Sequence, residues 1–124
     1  MIASAIARNA RTFQTAAMTT HPIDRLFALI ASRKDGDPST SYTAKLLAKG
    51  RLKCAKKLGE EAVETCLAAV AQDKTALTNE SADLLYHLLV LWAAAGVSPA
   101  DVAAELKRRE GISGLAAKRA RANL

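Results

Sequence analysis

Five carboxylates in two short runs are the part of this sequence best suited to chemistry: Glu60, Glu61 and Glu64, then Glu80 and Asp83. Glu61 and Glu64 stand at i, i+3, as do Glu80 and Asp83, so on helices each pair projects from one face and could clasp one ion. Only a few residues around Asp73 to Thr75 separate the two helical patterns, which predicts an antiparallel hairpin. Glu64 comes about nine residues before that turn and Asp83 about nine after it, so at ~1.5 Å rise per residue the pairs lie at similar heights and can converge. Converging carboxylates repel one another unless a cation intervenes, and an all-oxygen set without Cys or His selects Mg²⁺ or Mn²⁺ over zinc. Singly, each acid reads as solvated helix surface. The set reads differently, because residues 59 to 72 hold no base to compensate it and Glu80 and Asp83 open an apolar helix.

The preceding stretch is opposite in sign. From Pro38 to Gly59 it carries Lys45, Lys49, Arg51, Lys53, Lys56 and Lys57 and no acid, so its partner is expected to be an anion. Lys56 and Lys57 fall within about a turn of Glu60 and Glu61, placing cationic donors beside a divalent metal as a polyphosphate substrate requires. The plainer reading is a helix with snorkelling lysines beside an acidic patch. A nucleic-acid groove fits less well, since Tyr42 is the one residue there that could stack on bases.

Helices must position these groups. Ile23, Leu26, Phe27, Leu29 and Ile30 recur at helical spacing and stop at the run 34 to 38; a short second helix follows the cap candidates Ser39 to Ser41 and closes at Gly50. A long third helix runs from Arg51 to about Gln72, and a fourth from Ala76 to Ala95 ends at Gly96. Ser98-Pro99-Ala100-Asp101 combines a Ser cap, Pro at the first helical position and an acid three residues after the cap, so a fifth helix starts there and reaches about Glu110. No segment alternates with period two, so the fold class is all-α: about five helices around a central antiparallel hairpin. Leu89, Val90, Leu91 and Trp92 run consecutively around the fourth helix, so every side of it needs cover, and a homodimer is expected to complete the bundle.

With 124 residues, 50% of them hydrophobic, the chain is long enough for one domain and too apolar for composition-driven disorder. Its organisation reads as an N-terminal extension over 1 to 20, a domain over 21 to 113 and a basic tail over 114 to 124 that extends as a loose helix. The extension has arginines, Ser and Thr and no acid, a composition shared by transit peptides, disordered leaders and misplaced starts upstream of Met18. Cys54 and Cys66 form neither a CxxC pair nor a Cys/His cluster, so no disulfide framework or zinc site is expected, in keeping with a reducing, cytoplasmic setting. The apolar stretch Leu84 to Val97 is shorter than the ~20 residues of a membrane span. The net charge of +6 looks like a nucleic-acid signal until it is mapped: +2 falls in residues 1 to 20 and +3 in 114 to 124, leaving thirteen bases against twelve acids between. The excess belongs to the ends.

Three segments together resemble one family. Ser41-Tyr42-Thr43, Lys57-Leu58-Gly59-Glu60-Glu61-Ala62-Val63-Glu64 and Glu80-Ser81-Ala82-Asp83-Leu84-Leu85-Tyr86-His87-Leu88 are similar to phosphoribosyl-ATP pyrophosphohydrolases, within the all-α MazG-like nucleotide pyrophosphohydrolases. The likeness covers about residues 23 to 110. It implies hydrolysis of phosphoribosyl-ATP between its α and β phosphates, giving phosphoribosyl-AMP and pyrophosphate with Mg²⁺, the second step of histidine biosynthesis. Carried over by position, Glu61, Glu64, Glu80 and Asp83 are metal ligands, with Glu60 a further ligand or the base for the attacking water. Lys53, Lys56 and Lys57 then bind phosphates, and Arg33, Tyr42 and His87 recognise the substrate, although a core histidine is an equal reading of His87. No cyclohydrolase domain is present, so a stand-alone form acting on a small nucleotide is expected, with neither nucleic acid nor membrane as partner. The nearest alternative is a MazG-like enzyme acting on other nucleoside triphosphates; a basic helical nucleic-acid-binding protein is a more distant one.

Overall fold

The computed structural model describes residues 21–112 and 114–123. They form six helices: α1 (Pro22–Ser32), α2 (Tyr42–Lys49), α3 (Arg51–Ala71), α4 (Lys74–Ala95), α5 (Pro99–Arg109) and α6 (Gly114–Ala122). No strand occurs among the described residues, so the chain is an all-α bundle. The tail is helical as α6, and the first twenty residues lie outside the described part.

Local chemistry sets the helix ends. His21 accepts from the amide of Ile23 through Nδ1 at 3.2 Å, with Pro22 at the first helical position. Ser41 caps α2 by accepting from the Ala44 amide at 3.1 Å. Gly50 closes α2 and opens α3 at φ 88°, a backbone conformation that costs a glycine least. α4 begins two residues earlier than its apolar pattern suggests, because Asp73 accepts from the Ala76 amide at 2.9 Å and so caps Lys74 into the first turn. Ser98 and Asp101 exchange hydrogen bonds of 2.9 and 3.1 Å, the capping box expected from their spacing.

Only Gln72 and Asp73 join α3 to α4. Thr65 on α3 meets Glu80 on α4, residues placed symmetrically about that connection, so the pair is an antiparallel hairpin, and it carries the most extensive helix contact in the fold. α1 and α2 pack on its far end, where Ile30, Leu46, Cys54, Leu89 and Val90 form the buried core. Each of the larger side chains there contributes about 1.5–3 kcal/mol through removal from water. Cys54 donates its thiol to the Leu46 carbonyl at 3.4 Å and is unbridged, as is the exposed Cys66.

Cover is uneven along the hairpin. Leu89 and Val90 are buried and Leu91 and Trp92 half-buried, so one chain covers most of the apolar end of α4. Beyond the reach of α1 and α2, Val63, Leu67 and Val70 on α3 remain 60, 57 and 88% exposed, with Cys66 exposed beside them. Their i, i+4 and i+7 spacing makes one apolar stripe. Among the described residues no single helix is long and apolar enough to cross a membrane; α4 and α5 pass by length and composition only as a pair bent by 106°.

Candidate active site

The hairpin register brings carboxylates of both helices together. Glu61, Glu64 and Glu80 each offer an oxygen, and these oxygens lie within 4.8 Å of one another. The Thr65 hydroxyl lies at the same level between the helices, 2.8 Å from the Glu61 carbonyl and 3.1 Å from the Glu80 carbonyl. Glu61 and Glu80 each keep one buried carboxylate oxygen, Oε2, without a hydrogen-bond partner among the described residues.

The electrostatics of this cluster are unfavourable without a cation. Burial, then a hydrogen bond and the charge of Glu64, then Asp83, push the Glu61 carboxyl above its ordinary range, with Lys57 partly offsetting them. Burial and the charges of Glu64 and Asp83 push Glu80 the same way. Crowded acids with unpartnered oxygens suit a hard divalent cation, and the donor set is all oxygen, with Cys54 in the core and Cys66 outside the cluster. Asp83 is exposed and lies outside the three convergent groups, because the face of α4 that packs on α3 carries Glu80 inward and leaves Asp83 at its edge. Its charge still reaches Glu61 and Glu80.

Glu60 turns the other way. It accepts a hydrogen bond from Lys57 Nζ at 3.1 Å, and that bond, followed by the charges of Lys57, Lys56 and Lys53, holds its carboxyl below the usual range. The charge of Lys57 also reaches Glu61 in the cluster, while Lys53 is half-buried and Lys56 exposed.

A family model described as phosphoribosyl-ATP pyrophosphohydrolase matches residues 23–110. The chain belongs to the phosphoribosyl-ATP pyrophosphohydrolase family. A protein named phosphoribosyl-ATP pyrophosphatase from Parvibaculum lavamentivorans is 65% identical over 99 residues, covering 80% of this chain and 91% of that one. Proteins of the same name from Azospirillum brasilense and Paramagnetospirillum magneticum are each 60% identical, over 99 and 100 residues, with 89% and 92% of their lengths covered. The match takes in all three segments that carry the likeness and excludes residues 1–20 and the tail.

In this phosphoribosyl-ATP pyrophosphohydrolase family member, the remaining candidates fall into two groups. His87 is buried with Nε2 3.7 Å from Glu61 Oε1, and its ring meets Tyr86 and Tyr42 edge-on at 5.0 and 6.3 Å. Burial, then the charge of Lys57, lowers its pKa and so favours the uncharged imidazole; Nδ1 has no hydrogen-bond partner among the described residues. The Tyr86 hydroxyl bonds to the Thr43 hydroxyl and ties α2 to α4. Arg33, exposed at the end of α1, borders a cavity of about 260 Å³ with Thr40, Ser41, Thr43 and Tyr86 and apolar residues of α1, lined by none of the clustered acids. Tyr42 is 55% exposed at the start of α2.

Sequence reasoning assigned no role to Thr65, Thr43 or Tyr86. Thr65 carried a signal all the same, standing one turn after Glu61 on the face that α4 must meet.

Proposed function

We propose that this chain hydrolyses phosphoribosyl-ATP to phosphoribosyl-AMP and pyrophosphate, the second step of L-histidine biosynthesis. The observation that carries the reading is the convergence of Glu61, Glu64 and Glu80 inside the segment matched by the family. These three residues, with Asp83 from the next turn of α4, would hold Mg²⁺, or Mn²⁺ in its place. Bound there, the ion supplies charge that polarises phosphate oxygens and makes a coordinated water more acidic.

The chain's own groups supply the rest. Glu60, anionic through its pair with Lys57 and outside the convergent three, is the candidate to take the proton of the attacking water, with Glu61 the alternative. Lys53, Lys56 and Lys57 neutralise phosphate oxygens along the same side of α3. Arg33 and the hydroxyls of Thr40, Ser41 and Thr43 form an acid-free cavity suited to the phosphoribosyl end of the substrate, and the exposed Tyr42 ring offers a face for the purine. His87 backs Glu61 from within the core.

A second copy of the chain is the natural cover for the stripe of Val63, Leu67 and Val70, which supports a homodimer. Two unbridged cysteines accord with a cytoplasmic setting. The deciding experiment measures pyrophosphate release with Mg²⁺ from phosphoribosyl-ATP against a panel of nucleoside triphosphates. Preference for phosphoribosyl-ATP is expected; preference for any triphosphate would replace this reading with a MazG-like activity of other specificity.

A further inference from the structure

Thr65 occupies an unusual place in the hairpin. Its hydroxyl lies 2.8 Å from the Glu61 carbonyl and 3.1 Å from the Glu80 carbonyl, and a hydroxyl has one proton to share between them. Back-bonding to the carbonyl four residues earlier is ordinary for a helical Ser or Thr, and Thr78 and Ser81 do the same on α4 at 2.8 and 2.6 Å. Thr65 adds an acceptor on the opposite helix. Both of its acceptors belong to residues whose side chains converge within 4.8 Å.

Glu64 and Asp83 repel the carboxylates of both Glu61 and Glu80, two of these pairs across the hairpin, so in the absence of a cation this stretch is pressed apart. The Thr65 hydroxyl, carried by α3 and donating toward the Glu80 carbonyl of α4 at the same level, opposes that separation and fixes the spacing from which the carboxylates project. We propose that Thr65 is a positioning residue for the metal-binding carboxylates, presetting the distance between the Glu61 and Glu80 backbones so that a divalent cation finds its ligands already gathered. The inference rests on the metal reading given above and adds a residue that touches neither cation nor substrate.

Thr65→Val tests it, since valine keeps the volume and β-branched shape while removing the hydroxyl. Mn²⁺ titration followed by the electron paramagnetic resonance of free Mn²⁺ should show about tenfold weaker binding, as expected when an outer-shell partner is lost. The Mg²⁺ concentration for half-maximal turnover should rise in step, while kcat at saturating Mg²⁺ is largely kept. Thr65→Ser restores the hydroxyl and should restore both, and Thr78→Val, which removes a back-bond without a cross-helix partner, should leave Mn²⁺ affinity unchanged. Should Thr65→Val fail to fold, Thr65→Ala carries the same comparison. Equal Mn²⁺ affinity in Thr65→Val and the unsubstituted chain, or equal losses in Thr65→Val and Thr78→Val, would overturn the positioning role alone. An unsubstituted chain that binds no Mn²⁺ would overturn the metal reading and this inference with it.

Discussion

Nε2 of His87 faces Oε1 of Glu61 at 3.7 Å across the α3–α4 hairpin, with both side chains nearly out of solvent at 6 and 12% exposure. Glu61 therefore has the core on one side, through His87, and two further carboxylates on the other. An acid so placed is costly to ionise and worth little to stability. Its position makes sense when a cation completes the surroundings.

Glu64→Gln and Asp83→Asn should each lower turnover of phosphoribosyl-ATP by about a hundredfold or more, the scale of losing one electrostatic contact to a reacting group. Helical circular dichroism should be unchanged, since neither side chain is part of the core. Steady-state kinetics at saturating Mg²⁺ is the measurement, and full activity in both variants is incompatible with the ligand assignment.

The raised pKa of Glu80 has a definite sign. A carboxyl that holds its proton more tightly when folded stabilises the fold at pH below its unfolded value, here near 4.5, and that contribution is lost as pH rises through the higher folded value. Glu80→Gln should therefore raise the melting temperature of the metal-free protein at pH 7, with the gain shrinking toward pH 4.5. Comparing variant and parent at each pH removes the opposing contribution of His87, whose lowered pKa favours the unfolded state as pH falls below 6.5. A gain that grows on acidification would refute the assignment of repulsion to this site.

Arg33→Ala should raise KM for phosphoribosyl-ATP by about ten- to a hundredfold with kcat changed far less, because a charge-assisted hydrogen bond to phosphate is worth roughly 1.5–3 kcal/mol and none of the clustered acids lines the cavity that Arg33 borders. An unchanged KM removes the cavity from the substrate path.

Val70→Glu places a charge on a residue that is 88% exposed in the single chain, so the monomer's own packing tolerates it. Sedimentation at micromolar concentration should show a dimer for the parent and a monomer for the variant. A monomeric parent would refute the homodimer.

Much of the fold was legible because helix signals are local. The Ser98-Pro99-Ala100-Asp101 start and the Gly96 stop need no distant partner, and both stand where the sequence places them. α4 starts two residues before its apolar pattern because side-chain capping by Asp73 draws Lys74 and Thr75, which carry no apolar signal, into the first turn. Equal distances to one turn put Glu64 level with Asp83 and so all four acids together, whereas the structure gathers Glu61, Glu64 and Glu80. The position of Asp83 at the rim was not legible, since helical phase about the axis is set by which face of α4 packs on α3. The contact between His87 and Glu61, the Thr43–Tyr86 bond and the bridging by Thr65 were out of reach for the same reason: each depends on rotamers between helices.

The brevity of the Gln72–Asp73 connection has a kinetic meaning. All three convergent acids lie between positions 61 and 80, so gathering them requires closing one short loop, whose entropic cost is small and whose closure is fast. The register of this one helix pair, with no contribution from α1 or α2, brings the three acids together.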